Sequence, residues 1–207
     1  MSQLYDFFTG RPTEMIAREL LGKTLIYHTP AGTISGYVTE AEAYLGPNDS
    51  AAHAYAGKRT PANEALYREP GTIYIYSIHG RYSFDVATQA AGTPEGILVR
   101  GLEPAEGISL MEQNRAKHGF ELTNGPGKLM EAFGINDKAL NLVHLDDAPL
   151  TISLTGKEPQ EVGESPRIGV SQKGDSTFLP LRYFVKGNPF VSGMRKRDMD
   201  LVRHGWQ

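Results

Sequence analysis

The alternation of apolar and polar positions predicts several β-strands. Residues 24–27 and 33–45 are β-rich runs, and Thr29-Pro30-Ala31-Gly32 between them is typical of a turn, so we expect a hairpin. In the run 71–77, Ile73 and Ile75 alternate with Tyr74 and Tyr76, which places both tyrosines on one face of a strand. Further apolar runs predict strands at 97–102, 150–154 and 181–185.

Helical spacing of apolar residues appears in three segments, and each ends at a glycine. These segments are 13–22, 103–119 and 127–134. The polar stretch 46–71 has little periodicity, and such long loops often hold part of a functional site; 155–166 is predicted to be a surface loop. Strands in hairpin-like groups with helices between the groups favour an α+β fold over a doubly wound sheet.

Composition narrows the class of protein. The 207 residues, of which 40% are hydrophobic and 22% charged, suit one globular domain over residues 1–207. The absence of cysteine excludes disulfides, thiolate nucleophiles and cysteine-based metal sites. No signal-like segment and no apolar run near the roughly 18 residues of a membrane span occurs, so we expect a cytoplasmic protein with no membrane partner.

Charge is unevenly distributed along the chain. The formal net charge is −3, yet residues 186–207 hold five basic and two acidic side chains. This basic end is either a solvated tail or part of an anion-binding face.

The densest group of candidate catalytic residues lies in the second predicted strand. The period of two places Val38, Glu40, Glu42 and Tyr44 on one face, opposite two alanines. Two interpretations stay open: a solvated strand face, or a carboxylate that acts as a general base on water.

Other candidate residues each have a structural and a functional interpretation. His53 is either structural or part of a site, and the histidines lack metal-ligand spacing, so we expect no metal. The aromatic group of Tyr74, Tyr76, Tyr82 and His79 is either strand packing or a platform for a flat ring. The turn 125–128, Gly-Pro-Gly-Lys, is either a phosphate-binding turn or simply a helix start.

Six segments in order resemble the alkyladenine (3-methyladenine) DNA glycosylase family. They cover most of the chain from about Ile16 to Val191. The segments are Glu40-Ala41-Glu42-Ala43-Tyr44-Leu45-Gly46-Pro47, Ala51-Ala52-His53, Pro70-Gly71-Thr72-Ile73-Tyr74-Ile75-Tyr76, Leu98-Val99-Arg100-Gly101-Leu102-Glu103-Pro104, Gly125-Pro126-Gly127-Lys128-Leu129 and Arg182-Tyr183-Phe184-Val185-Lys186-Gly187-Asn188-Pro189.

The resemblance implies a monomeric glycosylase on damaged double-stranded DNA. Such an enzyme flips an alkylated purine out of the duplex and hydrolyses its N-glycosidic bond, without a cofactor, a metal or an obligate protein partner. It implies one domain around a curved, mostly antiparallel and partly open sheet with flanking helices. Glu42 is the implied general base, and Arg100 and the Val185 carbonyl help to place the water.

The resemblance also implies a base pocket and a DNA-contacting surface. Tyr44, His53 and Tyr76 wall the base, and Asp85 stands near a position where the family often carries an asparagine that discriminates against guanine. His79 matches the residue that fills the gap in the duplex, which is commonly tyrosine in the family, and Arg81 or Tyr82 would supplement it. The basic residues expected to meet phosphates are Lys58, Arg59, Lys128, Lys186 and 195–197.

Two other classes of function remain possible at this point. One is a non-catalytic nucleic-acid or nucleoside binding module on the same fold. The other is a glycoside hydrolase that uses Glu40 and Glu42, because same-face neighbours on a strand lie about 6.5–7 Å apart, a separation compatible with a carboxylate pair.

Overall fold

Strand β2, Gly32–Tyr44, is the long central strand of the sheet. The computed structural model describes residues 2–78, 80–171 and 174–207. The first half of β2 pairs with β1, Lys23–Thr29, as the predicted hairpin, and Glu40–Glu42 pair with β8, Arg182–Val185. Strand β5, Glu95–Glu106, covers the other edge of β2. Glu40 and Glu42 therefore lie between two neighbouring strands.

All strand pairings among the described residues are antiparallel. The sheet order is β3-β4-β5-β2-β1-β6, and β8 pairs with both β2 and β7. The remaining strands are β3 at Ile73–Ile78, β4 at Arg81–Thr88, β6 at Leu150–Gly156 and β7 at Val162–Ser165. The sheet is not closed, and the α+β fold class predicted from the sequence is confirmed.

Short helices cover the sheet and complete its core. They are α1 at Gln3–Phe7, α2 at Thr13–Glu19, α3 at Ile108–Asn114 and α4 at Pro126–Ala132. Helix α2 buries Ile16 and Ala17, and α4 buries Leu129 and Met130, all four in the main hydrophobic core. Helix α4 packs against β4 and β5, so this helix lies next to the strands that carry the candidate site. No helix in the described part of the chain has the length and apolar character of a membrane span.

The helix predicted at 103–119 is wrong in its first part. Strand β5 continues to Glu106, and helix α3 covers only Ile108–Asn114. Gly107 separates the two with φ of 73°, and a Cβ there would lie 2.4 Å from the Thr33 carbonyl oxygen. This close approach of two backbones ends the strand and reorients the chain.

Strands β4 and β7 were not predicted from the sequence. Strand β4 does alternate, because Phe84 and Val86 face the core while Ser83 and Asp85 lie on the opposite face. Its buried polar side chains weaken the usual strand signal. Strand β7 falls inside the predicted loop 155–166, where four residues pair with β8.

An irregularity in β2 changes the predicted strand face. The register with β5 shifts on both sides of Glu40, as an extra residue in one strand produces. Val38 consequently packs in the same core as Ala41 and Ala43. The prediction that Val38 shares a face with Glu40 and Glu42 is therefore wrong.

Candidate active site

Glu42 is a buried carboxylate held by three donors. It has no exposed surface, although it stands on the strand face that the sequence left open as a solvated one. Its Oε1 accepts a hydrogen bond of 2.8 Å from the Ile168 N–H and lies 3.3 Å from Arg100 Nε. Its Oε2 accepts a hydrogen bond of 2.9 Å from the Tyr44 hydroxyl. The solvated-face interpretation is therefore wrong for Glu42.

Burial determines the acidity of Glu42. Loss of solvation raises the pKa of this carboxyl, and Arg100, the Ile168 N–H and Tyr44 offset only part of the rise. A carboxylate with a raised pKa accepts a proton more readily than an exposed one. Glu42 thus combines a fixed orientation with the basicity that a general base for water requires.

Glu40 is also fully buried, but it is enclosed by cations. Its Oε1 accepts from Arg100 Nε at 3.0 Å and from Arg182 Nε at 2.6 Å. The backbone N–H and hydroxyl of Ser192 donate to the same carboxylate. Burial alone would raise the pKa of Glu40, yet the two guanidinium groups and Ser192 outweigh it, and the pKa is lowered. Both oxygens of the Glu40 carboxylate already accept hydrogen bonds, so the group holds Arg100 in place. Because its pKa is lowered, Glu40 is poorly suited to accept a proton.

A cavity of about 320 Å³ opens beside Tyr44. Its volume is at the lower end for small-molecule sites and suits one planar ring system. Its walls come from β2, β3, β4 and three connecting segments, and they include Tyr44, Ser50, Ala51, Ala52, His53, Leu66, Tyr76, Asp85, Pro94 and Gly169. The structure thus brings together all four side chains predicted for the base pocket.

Two tyrosines and His53 form the aromatic wall. The rings of Tyr74 and Tyr76 stack with centroids 4.8 Å apart, and His53 meets the Tyr76 ring edge-on at 4.7 Å. The Tyr74 hydroxyl and His53 Nδ1 are 2.8 Å apart, which fixes the imidazole ring. Desolvation against these rings lowers the pKa of His53, and Lys58 lowers it further, so the ring is neutral at pH 7. A flat ring bound here would meet aromatic faces and a neutral imidazole.

A second cavity of about 570 Å³ continues from the first. Tyr44, Tyr76, Ile78 and Gly169 line both cavities. The second one passes Arg100 and reaches Arg81, Lys128 and the turn 125–127. Lys128 donates to Asn124 Oδ1, and Arg81 lies 3.5 Å from Glu131 with its side chain 60% exposed. Positive charge therefore stands at the outer end of a path that leads past Arg100 to the aromatic wall.

The other predicted phosphate contacts lie outside these two cavities. Arg59 donates twice to Glu64 and stacks over the Tyr67 ring, and Lys186 pairs with Glu161. Lys58 is exposed. In the basic end of the chain, Arg195 and Arg197 both face Asp198. These residues stay predictions as phosphate contacts.

Val185 and Tyr82, which were also predicted for the site, line neither of the two cavities. The Val185 carbonyl accepts from the Asn188 N–H, and Val185 pairs with Val162, whereas Arg182 is the β8 residue opposite Glu42. Tyr82 pairs with Ser77 and packs against the main core, on the face of the sheet opposite Tyr74 and Tyr76. His79 lies outside the described residues.

Arg167 and Ile168 contact the candidate site but were not predicted from the sequence. Arg167 makes a buried pair with Asp49 at 2.5 and 2.7 Å, donates to the Ala43 carbonyl, and stacks over the Tyr44 ring at 4.5 Å. The next residue, Ile168, supplies the backbone N–H beside Glu42. A lone arginine in a loop gives no sequence signal, because its acidic partner lies 118 positions away.

The described residues contain no group of three or more acidic, histidine or cysteine side chains arranged to hold a metal ion. The site's charged groups instead pair with one another, carboxylate to guanidinium. Their chemistry is that of proton transfer and of charge stabilisation by fixed cations.

Comparison with known proteins identifies the family to which this sequence is similar. Residues 6–189 match the family model of methylpurine-DNA glycosylase. A relative from Latilactobacillus sakei is 52% identical over 97% of this chain and 95% of its own. Relatives from Lactiplantibacillus plantarum and Staphylococcus saprophyticus are each 47% identical, over 100% and 97% of this chain and 99% and 98% of theirs. All three are named "Putative 3-methyladenine DNA glycosylase".

Proposed function

Because this chain belongs to the methylpurine-DNA glycosylase family, we propose that it is a monofunctional glycosylase for alkylated purines in duplex DNA. The proposed substrates are 3-methyladenine and 7-methylguanine, with hypoxanthine and ethenoadenine as uncharged candidates. The observation that carries the proposal is Glu42, a buried carboxylate fixed by Arg100, Tyr44 and the Ile168 N–H beside an aromatic cavity.

The flipped base would occupy the smaller cavity. Stacking on an aromatic side chain contributes about 1–3 kcal/mol per base, and a cationic alkylated purine gains further from the π faces of Tyr44 and Tyr76. The neutral state of His53 avoids repulsion of that cation. Flipping costs a few kcal/mol of stacking and pairing, least at damaged bases. His79 remains our proposed residue for the gap left in the duplex.

Glu42 would activate the attacking water. Its carboxylate takes a proton while the water oxygen bonds to the anomeric carbon and the electron pair of the N-glycosidic bond leaves with the base. Arg100, fixed by Glu40, keeps the Glu42 carboxylate oriented. Direct attack by water inverts the anomeric carbon. The Ile168 backbone, rather than Val185, stands beside Glu42 and is the segment we propose to border this water.

Phosphates of the DNA would follow the second cavity. Lys128 and Arg81 stand at its outer end, and Arg100 stands nearer to the aromatic wall. We propose that these cations position the damaged strand, so that the sugar lies at Glu42 while the base enters the smaller cavity. Because the net charge of the chain is −3, we expect DNA to be attracted by this local group of cations and not by the protein as a whole.

The proposed enzyme hydrolyses the base bond without cutting the strand. A lysine forms the Schiff base with an abasic sugar; none of the described residues that line the smaller cavity is a lysine, and Lys128 of the second cavity donates to Asn124. Treatment with borohydride during the reaction should therefore trap no covalent protein–DNA complex. A trapped complex would contradict the monofunctional assignment.

The test is base release from methylated duplex DNA, with free bases identified by chromatography. We expect the native chain to release 3-methyladenine and Glu42→Gln to lose about 10²-fold or more of that rate while still binding the DNA. Glu106→Gln, an exposed glutamate at the far end of β5, is the matched control and should keep full activity.

Other outcomes would favour the other classes of function. No base release at any salt concentration, together with DNA binding, would favour a non-catalytic binding module. Equal release by native protein and Glu42→Gln would contradict the assigned base. A sugar product would indicate a glycoside hydrolase, although the saturated contacts of Glu40 leave it poorly suited as a second catalytic carboxylate.

A further inference from the structure

Asp85 and Glu42 stand in one row across three strands of the sheet. Asp85 of β4 pairs with Leu98 of β5, and Leu98 pairs with Glu42 of β2. Directly paired residues project to the same face, and two strand spacings separate the Cα atoms of Asp85 and Glu42 by about 10 Å. Two buried carboxyl groups therefore stand on one face of the sheet, on either side of Leu98.

Asp85 lies in the smaller cavity, where the proposed function seats the base. Its side chain is 4% exposed, and its buried Oδ1 has no hydrogen-bond partner among the described residues. A buried, unpaired carboxyl oxygen is costly unless a ligand or a proton compensates for it. Because Asp85 lines the cavity, a base bound there would supply the hydrogen-bond partner that Oδ1 lacks.

Among the described groups that face Asp85, none is a cation and only Tyr76 donates a hydrogen bond to it. They are Tyr74 and Tyr76 from β3 and Glu42 and Tyr44 from β2, with His53 across the cavity. Burial raises the pKa of Asp85 well above its usual range and Glu42 raises it further, while hydrogen bonding from Tyr76 lowers it only in part. Burial without a nearby cation therefore favours the protonated form of Asp85, in contrast to Glu42 with its three donors.

We propose that Asp85 is the general acid that protonates an uncharged purine as it leaves, which rests on the function proposed above. The Asp85 O–H proton passes to a ring nitrogen of the base, and the C1′–N9 electron pair moves onto the purine. Water bonds to C1′ and gives a proton to Glu42. The products are a neutral base, an abasic sugar, an Asp85 carboxylate and a protonated Glu42; exchange with solvent restores both groups.

This assignment follows the arrangement of inverting glycosidases. There, an acid protonates the leaving group on one side and a base activates water on the other, with carboxyl groups about 6.5–9.5 Å apart. The Cα separation of about 10 Å across two strands, with both side chains on one face, is compatible with that range. Two carboxyls whose environments differ so strongly are a recognised sign of separate acid and base roles.

The proposal separates two classes of lesion. A cationic base such as 7-methylguanine already carries the charge that weakens its bond and needs no proton. An uncharged base such as hypoxanthine leaves as an anion unless it is protonated. Loss of the Asp85 proton should therefore slow the release of hypoxanthine far more than that of 7-methylguanine.

The experiment compares single-turnover base release from duplex oligonucleotides that contain one hypoxanthine or one 7-methylguanine. Asp85→Asn keeps the side-chain shape and removes the acid. We expect it to slow hypoxanthine release by about 10²-fold or more, and at least about tenfold more than it slows 7-methylguanine release, because Asp85 also walls the cavity that both bases enter. Asp147→Asn, an exposed aspartate, is the matched control and should change neither rate.

The pH profile gives an independent readout. Hypoxanthine release by the native chain should decline on the alkaline side as Asp85 loses its proton, and Asp85→Asn should lack that decline. Equal slowing of both lesions by Asp85→Asn, or no slowing of hypoxanthine release, would overturn the acid role. So would a native chain that releases 7-methylguanine but no hypoxanthine. Failure of the native chain to release either base would instead overturn the proposed function itself.

Discussion

Glu40 and Glu42 contact the same Arg100 guanidinium group, yet their pKa values shift in opposite directions. Arg100 Nε lies 3.0 Å from Glu40 Oε1 and 3.3 Å from Glu42 Oε1. Glu40 has a second guanidinium within ion-pair distance, that of Arg182, and its pKa falls; no second guanidinium of the described residues lies that close to Glu42, and its pKa rises. One carboxylate therefore anchors the cation, while its neighbour keeps the capacity to take a proton.

Glu40→Gln should destabilise the protein strongly. The substitution leaves Arg100 and Arg182 buried without their shared counter-charge, and removing one partner of a buried ion pair costs about 3–5 kcal/mol. Urea unfolding followed by circular dichroism would measure the loss. Glu106→Gln is the surface control, expected within about 0.5 kcal/mol of the native chain. A loss below about 1 kcal/mol for Glu40→Gln would show that the network is not important for stability.

Asp85 should make stability fall as the pH rises. Its folded-state pKa is raised, so the folded chain holds this proton more tightly than the unfolded chain does. That contribution is complete below the unfolded pKa of about 3.9 and is lost as the pH rises through the folded value. Asp85→Asn removes the titration, so its free energy of unfolding relative to the native chain should improve with increasing pH. A difference that stays constant between pH 4 and 9 would contradict the buried, protonated Asp85.

Arg167→Lys should damage the cavity wall as well as stability. Lysine cannot reproduce the paired donors to Asp49, the contact with the Ala43 carbonyl and the stacking on Tyr44. We expect a loss of about 3 kcal/mol and at least a tenfold fall in base release. Arg195→Lys, in an exposed pair with Asp198, is the matched control. If Arg167→Lys releases base at the native rate at low temperature, Arg167 has no role in shaping the site.

Lys128→Gln should reduce the salt dependence of DNA binding. Each phosphate contact contributes about 0.9 to the slope of log K against log salt concentration, so the slope should become shallower by about that amount. Fluorescence anisotropy with alkylated duplex DNA, in the Glu42→Gln background, would measure it without base release. Lys138→Gln, at an exposed lysine outside both cavities, should leave the slope unchanged. An unchanged slope for Lys128→Gln would remove the second cavity as the phosphate path.

Local patterns predicted much of the fold correctly. The β1–β2 hairpin, the strands around Tyr74 and Val99, and the helices at residues 13–22 and 127–134 follow from periodicity over a few neighbouring residues. The first part of the helix predicted at 103–119 was wrong because a backbone contact between Gly107 and Thr33 determines where β5 ends, whereas Ile108–Asn114 is helical. That contact joins segments that are remote in sequence, so no local pattern reports it.

The sequence by itself determined the class of fold and placed Glu42 and Tyr44 on one face of a strand. It also carries the motifs that resemble the glycosylase family. Only the tertiary structure decided the proton-transfer capacity of each carboxyl. Glu42 meets Ile168 from 126 positions away, Glu40 meets Arg182 from 142, and Asp85 has no cation at all among its described neighbours. The charge state of a buried carboxyl depends on solvation and on its nearest charges, and folding alone brings those together.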